Sequence, residues 1–291
     1  MSVWITGSYG MLGSEVTAAC DRRGIDHVAT DAELDITDPF ALRGFAEGKE
    51  ISVIINCAAF TAVDRAEQET ELAFRVNATG AGNLAKLAHK IKCRLIHVST
   101  DYVFNGRKGS PYLPDDETDP LSAYGRSKLE GERMVLAECP AAAIVRTAWM
   151  YGLTGANFVA TMLKLFSTRG EVRVVDDQIG SPTLARDMAE ALVEMSVSTA
   201  AAQGIYHYTN SGETTWFGFA ARIYKLAKEA GLTKREVALV PITTAEYPTP
   251  AIRPAYSVLD CSRIEKDFGV SRRPWDEALT EHIARLREEK R

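Results

Sequence analysis

The 291-residue sequence is poor in the features that would commit it to a metal, a membrane or a nucleic acid. Its five cysteines (Cys20, Cys57, Cys93, Cys139 and Cys261) are an odd, scattered set without a CxxC pair, which argues against a disulfide framework or a zinc knuckle and fits a reducing cytoplasm. Its five histidines form no HxxxH or HxxE pairing at ligand spacing, so no metal is expected. No run approaches the ~20 apolar residues of a membrane span. The opening MSVWITGSYG also lacks the basic start and long apolar core of a secretion signal. Positive charge is scarce too: 34 Lys and Arg against 39 Asp and Glu leave a net −5, with no basic surface to drive binding to nucleic acid or an anionic membrane. An anionic ligand must be held locally. There is no internal repeat or heptad run, and nothing in the sequence sets an oligomeric state.

What is present is a rhythm. Residues 2–6, 27–30, 53–57, 94–99 and 142–147 read as strands, separated by helical patterns over 12–23, 39–47, 67–90 (interrupted near Gly80 and Gly82) and 123–139. The strand segments VIIN, LIHVS and AIVR are continuously apolar, as in a parallel sheet buried on both faces. Beyond residue 150 the rhythm loosens. Helices fit 157–168, 184–197, 215–230 and 275–289, strands fit 171–175 and 204–208, and a segment marked by Pro241, Pro248, Pro250 and Pro254 is expected to run irregularly.

Directly after the first strand, TGSYGMLG sets Gly7, Gly10 and Gly13 at GxxGxxG spacing as the chain enters a helix. Glycine permits the tight turn and lets backbone amides approach a pyrophosphate, while the helix offers its positive end. A tight turn alone would use the same glycines, but strand, loop and helix agree here. The pattern predicts an α/β fold, a Rossmann-type doubly wound parallel sheet holding NADPH or NADH, with a smaller C-terminal substrate-binding lobe. The expected division is 1–150 for the cofactor, with returning elements near 171–200, and 151–170 plus 201–291 mainly for the lobe. Asp31 closes the second strand near the spacing at which an acid meets the adenosine ribose, which favours NADH. Asp31, Asp35 and Asp38 nonetheless share one polar loop and any of them could cap the helix from Pro39, while Asp35 and Ile36 could flank the adenine. The choice of cofactor stays open.

The chemistry is carried by Tyr124-Gly125-Arg126-Ser127-Lys128, a YxxxK pair, and by Ser99-Thr100 after the fourth strand. Residues four apart share a helix face, so Tyr124 and Lys128 can meet one ligand. A nearby ammonium is expected to lower the phenol's pKa toward neutrality and to hold the nicotinamide ribose. Thr100, with Ser99 as the competing choice, stands where open α/β sheets place ligands and can hydrogen-bond a carbonyl.

Through TGSYGMLG, NCAAF, STDYVF and YGRSK the sequence resembles the extended short-chain dehydrogenase/reductases. Within them, NCAAFTAVDRAE, VNATG, YGRSKLEGE, RTAWMYG, DDQIGSPT and YPTPAIRP are similar to the reductases of nucleotide-activated 4-keto-6-deoxyhexoses. That resemblance implies an enzyme whose partner is a small nucleotide-sugar substrate. It implies Tyr124 as proton donor, Lys128 as its electrostatic partner and Thr100 as donor to the carbonyl. Gly10, Met11 and Leu12 would wrap the pyrophosphate, and Ala58, Ala59 and Phe60 would let the cofactor approach. Asp101, Tyr102, Trp149 and Arg253 would meet the substrate, and Gln178 and Pro182 would line the base. Relatives that pair through a metal use an acid where this chain has Arg186, so no bridging metal is expected. Two other readings share these residues. One is an epimerase or dehydratase, for which Asp101 stands where dehydratases want an acid; the other is a non-catalytic, nicotinamide-dinucleotide-binding subunit similar to the regulator of methionine adenosyltransferase.

Overall fold

The apolar runs pair into one six-stranded sheet in the computed structural model, which describes residues 2–200 and 202–289. The strands are β1 (Ser2–Thr6), β2 (His27–Thr30), β3 (Ile51–Asn56), β4 (Arg94–Thr100), β5 (Ala143–Thr147) and Gly204–His207. Their spatial order is β2, β1, β3, β4, β5, Gly204–His207, and every pairing is parallel. The order reverses between β1 and β3, which opens a crevice at the carboxyl ends of those strands.

Both faces of the sheet are covered, the physical reason its strands do not alternate. On one face Val3, Ile5, Val53 and Ile55 pack against Val16 of α1 (Met11–Arg22) and Leu192 of the helix Ala185–Val197. On the other, Trp4, Ile54 and Ile144 meet Leu42, Leu84 and Val135 from three further helices. Each fully buried aliphatic side chain contributes roughly 1.5–3 kcal/mol, so the sheet forms a rigid base for the loops at its edge. A separate core of Tyr151, Val159, Phe166, Phe219, Ile223 and Leu279 joins the helices Phe158–Thr168, Trp216–Glu229 and Trp275–Glu289.

Several expectations change. The helix expected over 67–90 is divided into Thr70–Phe74, a π-helical turn Arg75–Gly80, and Ala81–Ile91, so the break begins before Gly80. Glu171–Val175 does not return to the large sheet; it pairs in parallel with Ala238–Ile242 in a two-stranded sheet. Pro241 lies inside that second strand, where one side has no partner strand and its missing N–H costs no ladder bond. Gly204–His207, placed with the lobe by sequence, instead pairs with β5. The helix Ser262–Phe268 has no counterpart in the sequence pattern, and it ends on Gly269 at φ 64°. No helix among the described residues is long and apolar enough to cross a membrane. Among the same residues no group of three His, Cys, Asp or Glu side chains is placed to hold a metal, and Arg186 pairs with Glu281 at 3.1 Å.

Candidate active site

At the crevice the chain is built for close approach. Gly7 lies at φ 70°, and a Cβ there would stand 2.6 Å from the Ala58 nitrogen. At Gly13 a Cβ would stand 2.0 Å from the Gly7 carbonyl oxygen, so neither position accepts a side chain. Gly10 caps α1 with extended backbone; no side chain caps the helix and no acid stands in its first turn. The amides at Met11, Leu12 and Gly13 therefore keep their positive potential for a ligand. Leu12 is buried in the sheet core, whereas Met11 lies against Gly152 beyond β5. Asp31 stands beside this loop and accepts from the Tyr9 amide at 2.7 Å and the Ala32 amide at 2.8 Å. Asp35 accepts from the Thr37 amide, and it is Asp38 that caps the helix Pro39–Ala46. Ile36 is buried, where a Cβ on Gly80 would meet it at 2.7 Å.

Two buried asparagines hold the facing segment, and the sequence reading assigns a role to neither. Asn56 Oδ1 accepts from the Ala58 amide at 3.0 Å. Asn77 Oδ1 accepts from the Phe60 amide at 2.8 Å, while its Nδ2 donates to the Phe60 carbonyl at 3.0 Å and to Ser127 Oγ at 2.9 Å. Asn77 thus ties Ala58-Ala59-Phe60 to the helix Ala123–Glu138, and it sits in the π-helical turn. The only signal in sequence is the Asn of NCAAF and of VNATG.

Ser122 starts the helix Ala123–Glu138 by accepting from the Gly125 amide at 3.1 Å. A Cβ on Gly125 would lie 2.3 Å from the Tyr102 carbonyl oxygen, so this glycine lets the helix press on the turn after β4. Tyr124 consequently comes to stand beside Thr100. Thr100 Oγ1 donates to Asp101 Oδ1 at 2.9 Å and accepts from the Tyr102 amide at 3.3 Å. Ser99 is also buried, but its hydroxyl has no partner among the described residues. Lys128 Nζ donates to the Val98 carbonyl at 2.7 Å.

The electrostatics differ from expectation. Burial pushes the Tyr124 phenol up to about 12, opposed by the neighbouring Thr100 hydroxyl and reinforced by Asp101. Lys128 is not among the groups that shift it; its ammonium donates to the Val98 carbonyl. Burial also lowers Lys128 to about 8, with Glu132 and Cys57 pulling it back up. Asp101 is raised to about 6 by burial, against the lowering influence of the Ser257 and Thr100 hydroxyls, and its Oδ2 has no hydrogen-bond partner among the described residues. Tyr124 is therefore a protonated acid at neutral pH.

On the other side of the crevice, Tyr102 meets the Tyr124 ring edge-on at 5.5 Å. Arg253 reaches this corner but is held by Asp64 through two bonds of 3.1 and 2.8 Å, and it also donates to Thr249 and the Ala251 carbonyl. Trp149 follows β5 and stacks on Trp216, a residue that no sequence motif marks. Gln178 uses both ends of its amide within the protein, on Thr244 and Trp216, and Pro182 is buried.

A family model described as the RmlD substrate binding domain matches residues 1–288. The chain belongs to that family. This member is 44% identical to a dTDP-4-dehydrorhamnose reductase of Mycobacterium tuberculosis over 287 residues, 96% of this chain and 91% of the relative. A solved dTDP-4-dehydrorhamnose reductase of Clostridium acetobutylicum superposes with a TM-score of 0.92 at 41% identity, covering 98% of this chain and 99% of that one. A third, from Bacillus anthracis in complex with NADP, gives 0.91 at 35% identity over 98% and 99% of the two chains.

Proposed function

We propose that this RmlD-family chain is an NAD(P)H-dependent oxidoreductase that reduces the C4 ketone of dTDP-4-dehydro-6-deoxy-L-mannose to give dTDP-L-rhamnose. The observation that carries this reading is the buried Tyr124 standing beside Thr100 at the carboxyl end of β4, together with a glycine cradle a Cβ would fill.

A nicotinamide dinucleotide fits the residues present. Gly7, Gly10, Met11, Leu12 and Gly13 would hold the pyrophosphate through backbone amides, Asp31, Asp35 and Ile36 would face the adenosine end, and Ala58, Ala59 and Phe60 would flank its path. Lys128 would hold the nicotinamide ribose. When bound, the dihydronicotinamide supplies the hydride for the sugar carbonyl.

Tyr124 gives its phenolic proton to the sugar oxygen as negative charge develops there. A pKa near 12 suits that task, since a reductase needs a donor that is still protonated at neutral pH. Thr100 donates to the same oxygen and stabilises it. Its single proton is the constraint. With Asp101 ionised that proton points to Oδ1; with Asp101 neutral, the carboxylic acid donates to Thr100 and frees its hydroxyl for the carbonyl. Asp101, Tyr102, Trp149 and Arg253 contact the substrate, Arg253 pairing with the diphosphate as Asp64 releases its fork.

The cofactor part comprises the six-stranded sheet with its flanking helices, and the substrate lobe the third core; the two interleave along the chain. The setting is the cytoplasm, consistent with five free cysteines. The test is oxidation of NADH and of NADPH with dTDP-4-keto-6-deoxy-L-mannose, beside other keto-sugar nucleotides. Stoichiometric consumption is expected, and oxidation of neither cofactor would sink the assignment. Turnover without net consumption would point to an epimerase or dehydratase instead.

A further inference from the structure

Trp149 and Lys92 are the non-glycine residues at positive φ among the described residues. Lys92, at 59°, ends a helix, an ordinary use of the left-handed region. Trp149, at 47°, ends none. It lies just past β5 (Ala143–Thr147), whose Thr147 pairs with Thr100, and its carbonyl accepts from the Thr183 amide at 3.2 Å. A bulky residue in this conformation is strained, and such strain persists only where the surroundings impose it.

The surroundings here are specific. The Trp216 ring stacks on Trp149 with centroids 3.5 Å apart and planes 7° from parallel. Trp216 Nε1 donates to Gln178 Oε1 at 3.2 Å, and Gln178 Nε2 donates to Thr244 Oγ1 at 2.9 Å, so the second indole is itself fixed. Gly180 leaves room for the first: a Cβ there would stand 2.4 Å from Trp149 Cε2. Trp149 packs against both the sheet core and the lobe core, which places it at their junction.

We propose that Trp216 is a positioning residue for substrate: by stacking on Trp149 it holds that indole in its left-handed corner as a fixed apolar wall for the deoxyhexose. The inference rests on Trp149 lying beside the sugar. An indole suits the C–H faces and methyl group of a 6-deoxy sugar, which gain dispersion contact from a wall already in place. Without Trp216 the backbone at Trp149 relaxes toward negative φ and the wall moves. Tyr124 and Thr100 are untouched by that change, so the loss falls on KM and not on kcat.

The test compares Trp216→Leu, Trp216→Phe, Gly180→Ala and Trp149→Leu. Each is measured for kcat and KM with dTDP-4-keto-6-deoxy-L-mannose, NADH affinity by fluorescence titration, and the circular-dichroism exciton couplet of two stacked indoles. Trp216→Leu is expected to lose the couplet and raise KM about tenfold, with kcat and NADH affinity near the parent. Trp216→Phe keeps an aromatic face and restores KM although the couplet is gone. Gly180→Ala keeps both indoles, displaces Trp149 from its other contact, and is expected to raise KM while altering the couplet; it decides the matter if Trp216→Leu fails to fold. If Trp149→Leu raises KM but Trp216→Leu and Gly180→Ala do not, the positioning role is overturned while the placement of Trp149 stands. If Trp149→Leu leaves KM unchanged, that placement fails.

Discussion

The glycine loop and the Trp149 corner both use a left-handed backbone at the edge of the same sheet, by opposite means. At Gly7 the conformation, φ 70°, carries little steric cost because no Cβ exists, and the site that results is made of amides. At Trp149 a large side chain occupies that region at 47°, and a stack of side chains holds it there. A site built from backbone needs only glycines in order along the chain. A site built from side chains needs partners that arrive from distant segments, here Gln178, Gly180 and Trp216.

The strongest probe of this contrast acts where the two regions meet. Tyr124→Phe is expected to lower kcat by about 10²–10⁴-fold, the usual scale for a lost proton donor, with NADH affinity unchanged in a fluorescence titration. A parallel fall in affinity would mean that Tyr124 serves the cofactor cradle more than the chemistry. Gly13→Ala attacks the backbone-built side alone. Its Cβ would collide with the Gly7 carbonyl, and thermal melting should show a loss of about 3 kcal/mol or more together with weakened NADH binding. Retained binding would show that the loop can re-form around a methyl group.

Asp101→Asn probes the buried carboxyl between the two sides. Its pKa is raised to about 6 in the folded chain, so the stability it contributes is fully present below the unfolded value and is lost as pH rises through about 6. The amide cannot ionise. The variant should therefore match the parent near pH 4 and exceed it at pH 8 by on the order of 2 kcal/mol, read from melting temperatures across that range. A constant difference at all pH values would contradict the raised pKa. The smallest effect is expected at Arg253→Lys, which keeps the charge but loses the two-pronged fork. KM for the sugar nucleotide should rise by less than about tenfold while NADH affinity holds, and an effect on NADH would place Arg253 on the wrong side of the comparison.

Legibility follows the same line. The glycine spacing, the strand rhythm and the YxxxK pair are local, and their geometry follows from neighbours a few residues away; the strand 171–175 and the helices 275–289 and 123–139 lie where their patterns put them, the last within a residue. The partner of 171–175 is not local, because nothing in EVRVV distinguishes a sheet interior from a two-stranded edge. Asn56 and Asn77 escape a sequence reading since an asparagine in a loop or helix looks alike whether or not its amide bridges two segments.

The sequence by itself determined which residues carry polarity and where the chain turns: the cradle of Gly7, Gly10 and Gly13, the face shared by Tyr124 and Lys128, and the apolar strands beneath them. Tertiary structure alone decided their electrical state and their company. Burial raises the Tyr124 phenol to about 12, and the approach of the lobe puts Trp216 on Trp149. Desolvation and stacking depend on what is packed around a group from all sides, and that is fixed only when distant segments meet.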